Sequence, residues 1–457
     1  MRRILQTNLT NWFNSKKRKP LVLRGARQVG KSSLVRLFAR EMGLELDEIN
    51  LEQQVSFDAV FKTLDMPLII AELSSFFHRP VGREGSLLFL DEIQATPHCL
   101  AALRYFYEQN PDIPVIAAGS LLEFALSEAK FSMPVGRIEF LHVEPMSFEE
   151  YLQAAGEDFL VERLQAFHVG DLWPDQLHKQ LMKRLREYLM VGGMPEVVEA
   201  FVANPNSPQW SSTQQSILQT YREDFHKYGK RAKIMLMHEI FTRTPGFVGR
   251  KIKYAEIAPG ERSSVTRDIL ALFHYARVIR KAFHTDGQGL PIGATADQSS
   301  AKLYFVDVGL ACHGLGVLPR STLFDDVTIW EGPLAEQFVA QHIATIAGAE
   351  RPPELYYWKR EQRQSSAEID FLVQHDRWLV PIEVKAGTTG SLRSLHQFMM
   401  AHNQTPLAIK LCGQPPQLTQ SQPSVVTAKG VGTYSLKLLS LPLYMTGQLH
   451  RLLSEIV

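Results

Sequence analysis

Gly25-Ala-Arg-Gln-Val-Gly-Lys-Ser32 constrains this chain more than any other stretch. It matches G-x-x-x-x-G-K-[ST] at every fixed position. The apolar run Leu21-Val-Leu23 stands directly before it, and a helical pattern from Lys31 to Met42 follows. Strand, glycine-bearing loop and helix in that order predict a phosphate cradle. The glycines let backbone N–H groups curl around phosphate oxygens, and the helix presents its positive end to them. Gly25, Ala26, Arg27, Gln28, Val29, Gly30, Lys31, Ser32 and Ser33 are therefore expected to hold ATP. Lys31 should reach the β and γ phosphates, and the Ser32 hydroxyl should ligate Mg²⁺.

A second element makes hydrolysis the expectation. Leu87-Leu-Phe-Leu90 is an apolar strand ending in Asp91-Glu92. Asp91 would hold Mg²⁺ through water, and Glu92 would polarise the attacking water. The plainer alternative makes Asp91 a helix cap. A third run, Ile113-Pro-Val-Ile-Ala-Ala118, leads to Ser120, read either as a γ-phosphate sensor or as an N-cap. Arg137 precedes a further strand. It is a candidate arginine finger, in cis or in trans, or else a salt-bridged surface residue. The alternation of short apolar runs with helical patterns over residues 20–145 predicts βα units on a mostly parallel sheet.

With 457 residues the chain exceeds one ordinary core. Hydrophobic residues at 45% and charged residues at 21% argue for globular folding throughout. The pattern divides into residues 1–146 (the ATPase domain), 147–228 (a helical lid), 229–310 (helices then a hairpin, as in a winged helix-turn-helix) and 325–457 (mixed α/β). A net charge of only +1 neither requires nor excludes nucleic acid, so any such contact must come from local clusters. Those available are Lys227-Tyr-Gly-Lys-Arg-Ala-Lys233, Arg250-Lys-Ile-Lys253 and the candidate recognition helix Arg262 to Phe273, with its apolar stripe at Val265, Ile269 and Leu272. All three are equally readable as solvated faces. Cys99, Cys312 and Cys412 lack metal or disulfide spacing, and no stretch has signal-peptide or membrane-span character. A cytoplasmic protein without a membrane partner is expected.

The C-terminal region carries a second constellation. Glu368-Ile-Asp-Phe-Leu-Val373 and Trp378-Leu-Val-Pro-Ile-Glu-Val-Lys385 read as a hairpin. A loop of Gln374 to Arg377 would set Val373 opposite Trp378 and Asp370 opposite Pro381. Asp370, Glu383 and Lys385 would then share one face, with the two carboxylates diagonal neighbours. A one-residue change of loop length would separate them. A helix from about Gly332 adds Glu336, at the edge of the stripe Leu334, Phe338, Val339 and Ile343. An acid followed by E-x-K on the next strand resembles the PD-(D/E)XK nuclease signature. That resemblance implies a second Mg²⁺ or Mn²⁺ held by Glu336, Asp370 and Glu383, with Lys385 positioning water. A solvated, salt-bridged hairpin face is the alternative.

Taken in order, Gly25-Ala-Arg-Gln-Val-Gly-Lys-Ser, Leu90-Asp-Glu-Ile-Gln, Ala118-Gly-Ser, Val143-Glu-Pro-Met-Ser-Phe-Glu-Glu, Val191-Gly-Gly-Met-Pro, Lys302-Leu-Tyr-Phe-Val-Asp-Val-Gly-Leu and Glu383-Val-Lys-Ala span nearly the whole chain. They resemble a bacterial and archaeal family of AAA+-type ATPases that join a P-loop domain to a C-terminal domain of unknown function. The resemblance implies an α/β architecture: an AAA+-like parallel-sheet ATPase domain, a helical lid, a winged helix-turn-helix and a PD-(D/E)XK-like domain. ATP, DNA, a protein partner and a second copy of the chain are the candidate partners. The alternative to a DNA-directed ATPase is a nucleotide-dependent switch for a protein, its nuclease-like fold inactive.

Overall fold

A computed structural model describes residues 1–119, 136–227, 231–317, 332–362, 365–385, 392–402, 405, 407–427 and 430–456. The chain forms two compact units. One holds residues 1–145, 272–278 and 348–352, and the other holds 146–271, 279–347 and 353–457.

The first unit is built on five strands: β1 (Leu21–Arg24), β2 (Glu45–Asn50), β3 (Ser86–Asp91), β4 (Val115–Ala118) and β5 (Glu139–His142). All are parallel, in the spatial order β2-β3-β4-β1-β5. β3 and β4 are buried along their whole lengths, as strands covered on both faces must be. Leu88 and Leu90 of β3 pack with Leu100, Leu103 and Phe106 of the helix Pro97–Gln109 in one core. β4 lies between β1 and β3, with Leu23 beside Ala118 and Leu90 beside Ala117. The carboxyl ends of these three strands therefore share one edge of the sheet, where open α/β sheets place their ligands.

β2 follows a different rule. Only Asp47 and Ile49 are buried, and the Asp47 carboxylate accepts from Arg79 Nε at 2.7 Å and Arg83 Nη1 at 2.8 Å. This edge strand pays for a buried charge with two guanidinium partners.

The second unit opens with a capping box. Ser147 Oγ accepts from Glu150 N–H, while Glu150 Oε2 accepts from Ser147 N–H, starting the helix Phe148–Ala154. Helices Asp158–Ala166, Asp175–Val191, Pro195–Ala203 and Gln209–Asp224 follow. After them come Arg231–Arg243, Tyr254–Ile257 and Ser263–Tyr275, the last of which passes into the first unit at Leu272. The buried face of Ser263–Tyr275 is Thr266, Ile269, Leu270 and Phe273. Val265 and Leu272 of the expected stripe are only half-buried, so the helix is rotated by about one residue from that reading.

β6 (Ile279–Thr285) and β7 (Ala296–Phe305) form an antiparallel hairpin, and β8 (Leu355–Gln362), β9 (Ser365–His375), β10 (Trp378–Lys385) and β11 (Ala408–Cys412) follow. β12 (Gln417–Ser421), β13 (Ser424–Thr427), β14 (Gly430–Thr433) and β15 (Leu436–Pro442) complete the strands. β13 and β14 pair with each other. The remaining eight strands of this unit make one mixed sheet, ordered β12-β15-β11-β10-β9-β8-β6-β7. The β6–β7 hairpin is thus continuous, through parallel pairing of β6 with β8, with the sheet that carries Asp370 and Glu383.

The family-resembling residues of this unit converge at a buried junction. Asp307 Oδ2 accepts from Gly193 N–H at 2.6 Å and Gln341 Nε2 at 3.2 Å, while Oδ1 accepts from Leu310 N–H at 3.0 Å and caps the helix Val308–Gly314. Gln341 also accepts from Val308 N–H, and Tyr188 donates to Met146 O at 2.5 Å. Gly192 has φ +80, and a Cβ there would land on the Asp307 carboxylate. The Gly192-Gly193 turn is therefore a packing requirement.

Candidate functional site

The loop from Gly25 to Gly30 leaves β1 and enters the helix Lys31–Glu41. Gly25 passes so close to Val143 O that any Cβ would collide with it. Arg3 fixes the loop from outside, its guanidinium donating to Val29 O at 2.9 Å and Glu144 O at 2.6 Å. The first bond of the helix runs from Leu34 N–H to Gly30 O. The amides of Lys31, Ser32 and Ser33 precede it, on the first turn that a helix presents to an anion. Ser33 is exposed on that first turn, and Arg27 and Gln28 are half-buried in the loop. The buried Lys31 ammonium rests on the carbonyl oxygens of Gly25 at 3.1 Å and Ala26 at 2.8 Å.

Ser32 Oγ donates to Asp91 Oδ2 at 2.6 Å. The serine of the loop and the acid at the end of β3 thus meet across β4. Burial raises the Asp91 carboxyl above its ordinary range, although the Ser32 bond opposes this. Two oxygens already sharing a proton at this distance suit a hard cation with oxygen ligands, so Ser32 and Asp91 fit the Mg²⁺ of a bound nucleotide.

Glu92 stands in the left-handed region at φ 53, an unusual conformation for a glutamate. Its Oε2 accepts from Gln94 Nε2 at 2.5 Å. Gln94 Oε1 is buried without a hydrogen-bond partner, and a Cβ on Gly119 would meet it. Spacing alone gave Gln94 no role. The signal lay in the short 3₁₀ turn Ile93–Ala95, which folds the side chain back toward Glu92. Gln94→Ala is expected to lower kcat about tenfold with KM for ATP nearly unchanged, as for a residue that only orients its neighbour Glu92. Steady-state hydrolysis checks this, and equal changes in kcat and KM would remove the positioning role.

Ser120 lies outside the described residues. Arg137 takes the salt-bridged alternative. It precedes β5, whose first residue Glu139 pairs with Leu21 at the start of β1. It therefore stands at the edge of the sheet opposite the loop, about a strand length or roughly 13 Å away, and its Nε donates to Glu108 Oε1 at 2.8 Å. This placement and partner match the reading of a salt-bridged surface residue.

In the second unit the hairpin differs from the expected one by two residues. Trp378 pairs with His375 and Ile382 with Phe371, leaving a two-residue turn, Asp376-Arg377, with Asp376 at φ 48. Two residues preserve side-chain parity. The register ends with Ile382 opposite Phe371, so that Asp370 and Glu383 follow at the end of the ladder, where Val384 N–H donates to Asp370 Oδ2 at 2.8 Å. Lys385 Nζ lies 2.6 Å from Glu383 Oε1. Glu336, from the helix Pro333–Ile346, accepts from Tyr304 OH at 3.1 Å.

Lys302 stands among these carboxylates, with Nζ 2.6 Å from Glu368, 3.3 Å from Glu336 and 3.5 Å from Asp370. Neither Lys302 nor Glu368 was a candidate site residue from the sequence. Period-two alternation puts Lys302 and Tyr304 on one face of β7, but nothing local says which acids that face will meet. Burial, and then Asp370, push both Glu336 and Glu383 up to about 7. Among the described residues no group of three or more His, Cys, Asp or Glu side chains has the geometry to hold a metal ion.

Three family models match. Residues 17–152 match an AAA domain, residues 182–321 a domain of unknown function (DUF8612), and residues 331–429 another (DUF4143). No curated protein matches. Among solved structures, the Walker-type ATPase PABY2304 of Pyrococcus abyssi is 15% identical at a TM-score of 0.40, covering 68% of this chain and 94% of that one. The Aeropyrum pernix ORC1 protein in complex with DNA is 15% identical at 0.28, covering 68% and 90%. A Pyrococcus horikoshii signal transduction ATPase with a tetratricopeptide repeat sensor, PH0952, is 11% identical at 0.26, covering 76% and 45%. Such low scores carry no inference about partners. The AAA match falls on the unit that holds the loop and Asp91-Glu92, and the protein is a P-loop ATPase. No described helix is long and apolar enough to cross a membrane.

Proposed function

We propose that this ATPase converts ATP to ADP and phosphate with Mg²⁺, and that its nucleotide cycle governs nucleic-acid binding by the second unit. The bond from Ser32 Oγ to Asp91 Oδ2 carries the first half. It sets two cation ligands beside the cradle, with Glu92 next in sequence to activate water. Lys31 serves the β and γ phosphates, and the amides from Gly25 to Ser33 serve the phosphate oxygens. Arg137 is open to a role in trans, within a homo-oligomer.

The second half rests on element order. The helix Arg231–Arg243, the segment joined to β7 by the bridges Val248–Leu303 and Lys251–Lys302, the helices Tyr254–Ile257 and Ser263–Tyr275, and the β6–β7 hairpin follow one another as in a winged helix-turn-helix. Arg262 and Arg267 are exposed on or beside the candidate recognition helix, and Arg250, Lys251 and Lys253 are exposed upstream. In this reading residues 1–146 are the motor, 147–228 a lid, 229–310 the reader and 325–457 a nuclease-like domain. The test is duplex DNA binding across a salt series. Arg262→Glu with Arg267→Glu is expected to weaken binding about tenfold or more and to lower the salt slope by about two. A parent protein that binds no duplex at low salt would end this reading.

Lys302 within the acid cluster favours a second reading, a nucleotide-dependent switch whose nuclease-like domain binds a protein and does not cut. Nucleotide-dependent capture of a partner, with ATP turnover indifferent to DNA, would support it.

A further inference from the structure

Two of the three carboxylates that the nuclease signature assigns to a metal ion, Glu336 and Asp370, face a lysine, and we propose that Lys302 is the resident cation of this centre and closes it to Mg²⁺ and Mn²⁺. The disagreement with the signature lies in how the oxygens are used. Asp370 Oδ1 faces Lys302 Nζ at 3.5 Å, and its Oδ2 accepts from Val384 N–H. Glu336 Oε2 is shared by Lys302 Nζ at 3.3 Å and Tyr304 OH at 3.1 Å. Glu383 Oε1 is held by Lys385 at 2.6 Å. Each carboxylate expected to ligate metal is thus already bound to a donor of the chain. A Mg²⁺ ion needs near-octahedral oxygens at about 2.0–2.1 Å, and the point where Glu336 and Asp370 converge is filled by an ammonium.

Lys302 has no easy way out. It is 2% exposed, on a strand paired with β6 along one edge and bridged to Lys251 on the other. Its ammonium also contacts the face of Tyr357 at 5.6 Å. Burial alone would lower its pKa, but Glu336, Asp370 and Glu368 together raise it, so the ammonium stays charged. A divalent ion would have to enter beside that charge or expel it. Glu368, two residues before Asp370 and outside the expected set, makes the shortest contact with Lys302. That contact marks the lysine as the partner around which the acids are arranged. Glu383 Oε2 is the one oxygen of the expected ligands that is buried without a hydrogen-bond partner. A single orphan oxygen is too few for a metal site.

This inference is independent of whether the protein binds nucleic acid. Its test is Mn²⁺ titration of the nucleotide-free, full-length protein, followed by the paramagnetic resonance of free Mn²⁺. An Asp91→Asn background removes the acid of the ATP site. With Lys302 intact, no stoichiometric Mn²⁺ should bind. Lys302→Met keeps the unbranched stem as far as Cε and removes the charged nitrogen. It should gain one Mn²⁺, bound about tenfold or more tighter than in its parent, and Asp370→Asn should abolish that gain. Stoichiometric Mn²⁺ in the Lys302-intact protein that is lost with Asp370→Asn would overturn the proposal. So would a folded Lys302→Met protein that stays metal-free. Should Lys302→Met fail to fold, the comparison of the Lys302-intact protein with and without Asp370→Asn still decides.

Discussion

Lys31→Ala is expected to lower kcat/KM for ATP at least about a hundredfold, the scale seen when one preorganised donor to a phosphoryl or oxyanion group is removed. The Lys31 ammonium is buried and held by Gly25 O and Ala26 O, so it is aimed before nucleotide arrives and owes little of its geometry to solvent. Its loss should weaken ATP binding and slow turnover together. Glu92→Gln provides the contrast. The Glu92 carboxylate accepts from Gln94 Nε2, outside the set of bonds that hold Lys31. Removing its basicity should cut kcat about 10²- to 10⁴-fold while a fluorescent nucleotide still binds with near-parental affinity. Turnover and binding measured on both variants separate the roles. A Glu92→Gln protein with parental kcat would move the base elsewhere, and an active Lys31→Ala protein would remove the cradle from the mechanism.

The first unit was largely legible because its signals are local. β3 and β4 are fully buried parallel strands and β1 is buried except at Arg24, and such strands show as short apolar runs. β2 was not legible. Its sequence Glu-Leu-Asp-Glu-Ile-Asn reads as polar, and its buried Asp47 makes sense only once Arg79 and Arg83, more than thirty positions away in sequence, supply the charge. Arg137 shows the same limit. Its place before a strand was readable, but which edge of the sheet that strand begins on depends on the parallel pairing of β5 with β1.

The acid cluster was legible in parity and not in register. The alternation of Asp370, Glu383 and Lys385 holds for any loop shortened by two, so the shared face was found although the turn is Asp376-Arg377. What fills that face was not legible. Lys302 reaches Glu336, Glu368 and Asp370 across separations of 34 to 68 positions, and no periodicity within one segment encodes such a meeting. The same holds for Asp307 and Gly193, 114 positions apart.

That last pair carries the largest stability prediction. Asp307→Ala is expected to destabilise the second unit by about 3–5 kcal/mol, because it strands the N–H groups of Gly193 and Leu310 and the Gln341 amide in a dry junction where each lost partner costs about 1–3 kcal/mol. Water cannot readily replace the carboxylate. Asp307 is fully buried, and so are its neighbours Val308, Leu310, Val191 and Met194. Asp307→Asn retains one acceptor oxygen but turns an amide donor toward donors on the other side, so it should fall between the parent and alanine. Gly192→Ala attacks the junction from the opposite side, placing a methyl group on the carboxylate at a φ of +80. Overpacking and backbone strain should then cost about 1–3 kcal/mol. Urea unfolding followed by tryptophan fluorescence and far-UV dichroism tests the order alanine, asparagine, parent. The Lys31 cradle belongs to the other compact unit, so nucleotide affinity in the folded protein is the control that separates lost stability from lost chemistry. Parental midpoints for all three variants would mean that the junction which gathers Gly192, Gly193, Asp307 and Gln341 contributes nothing to stability.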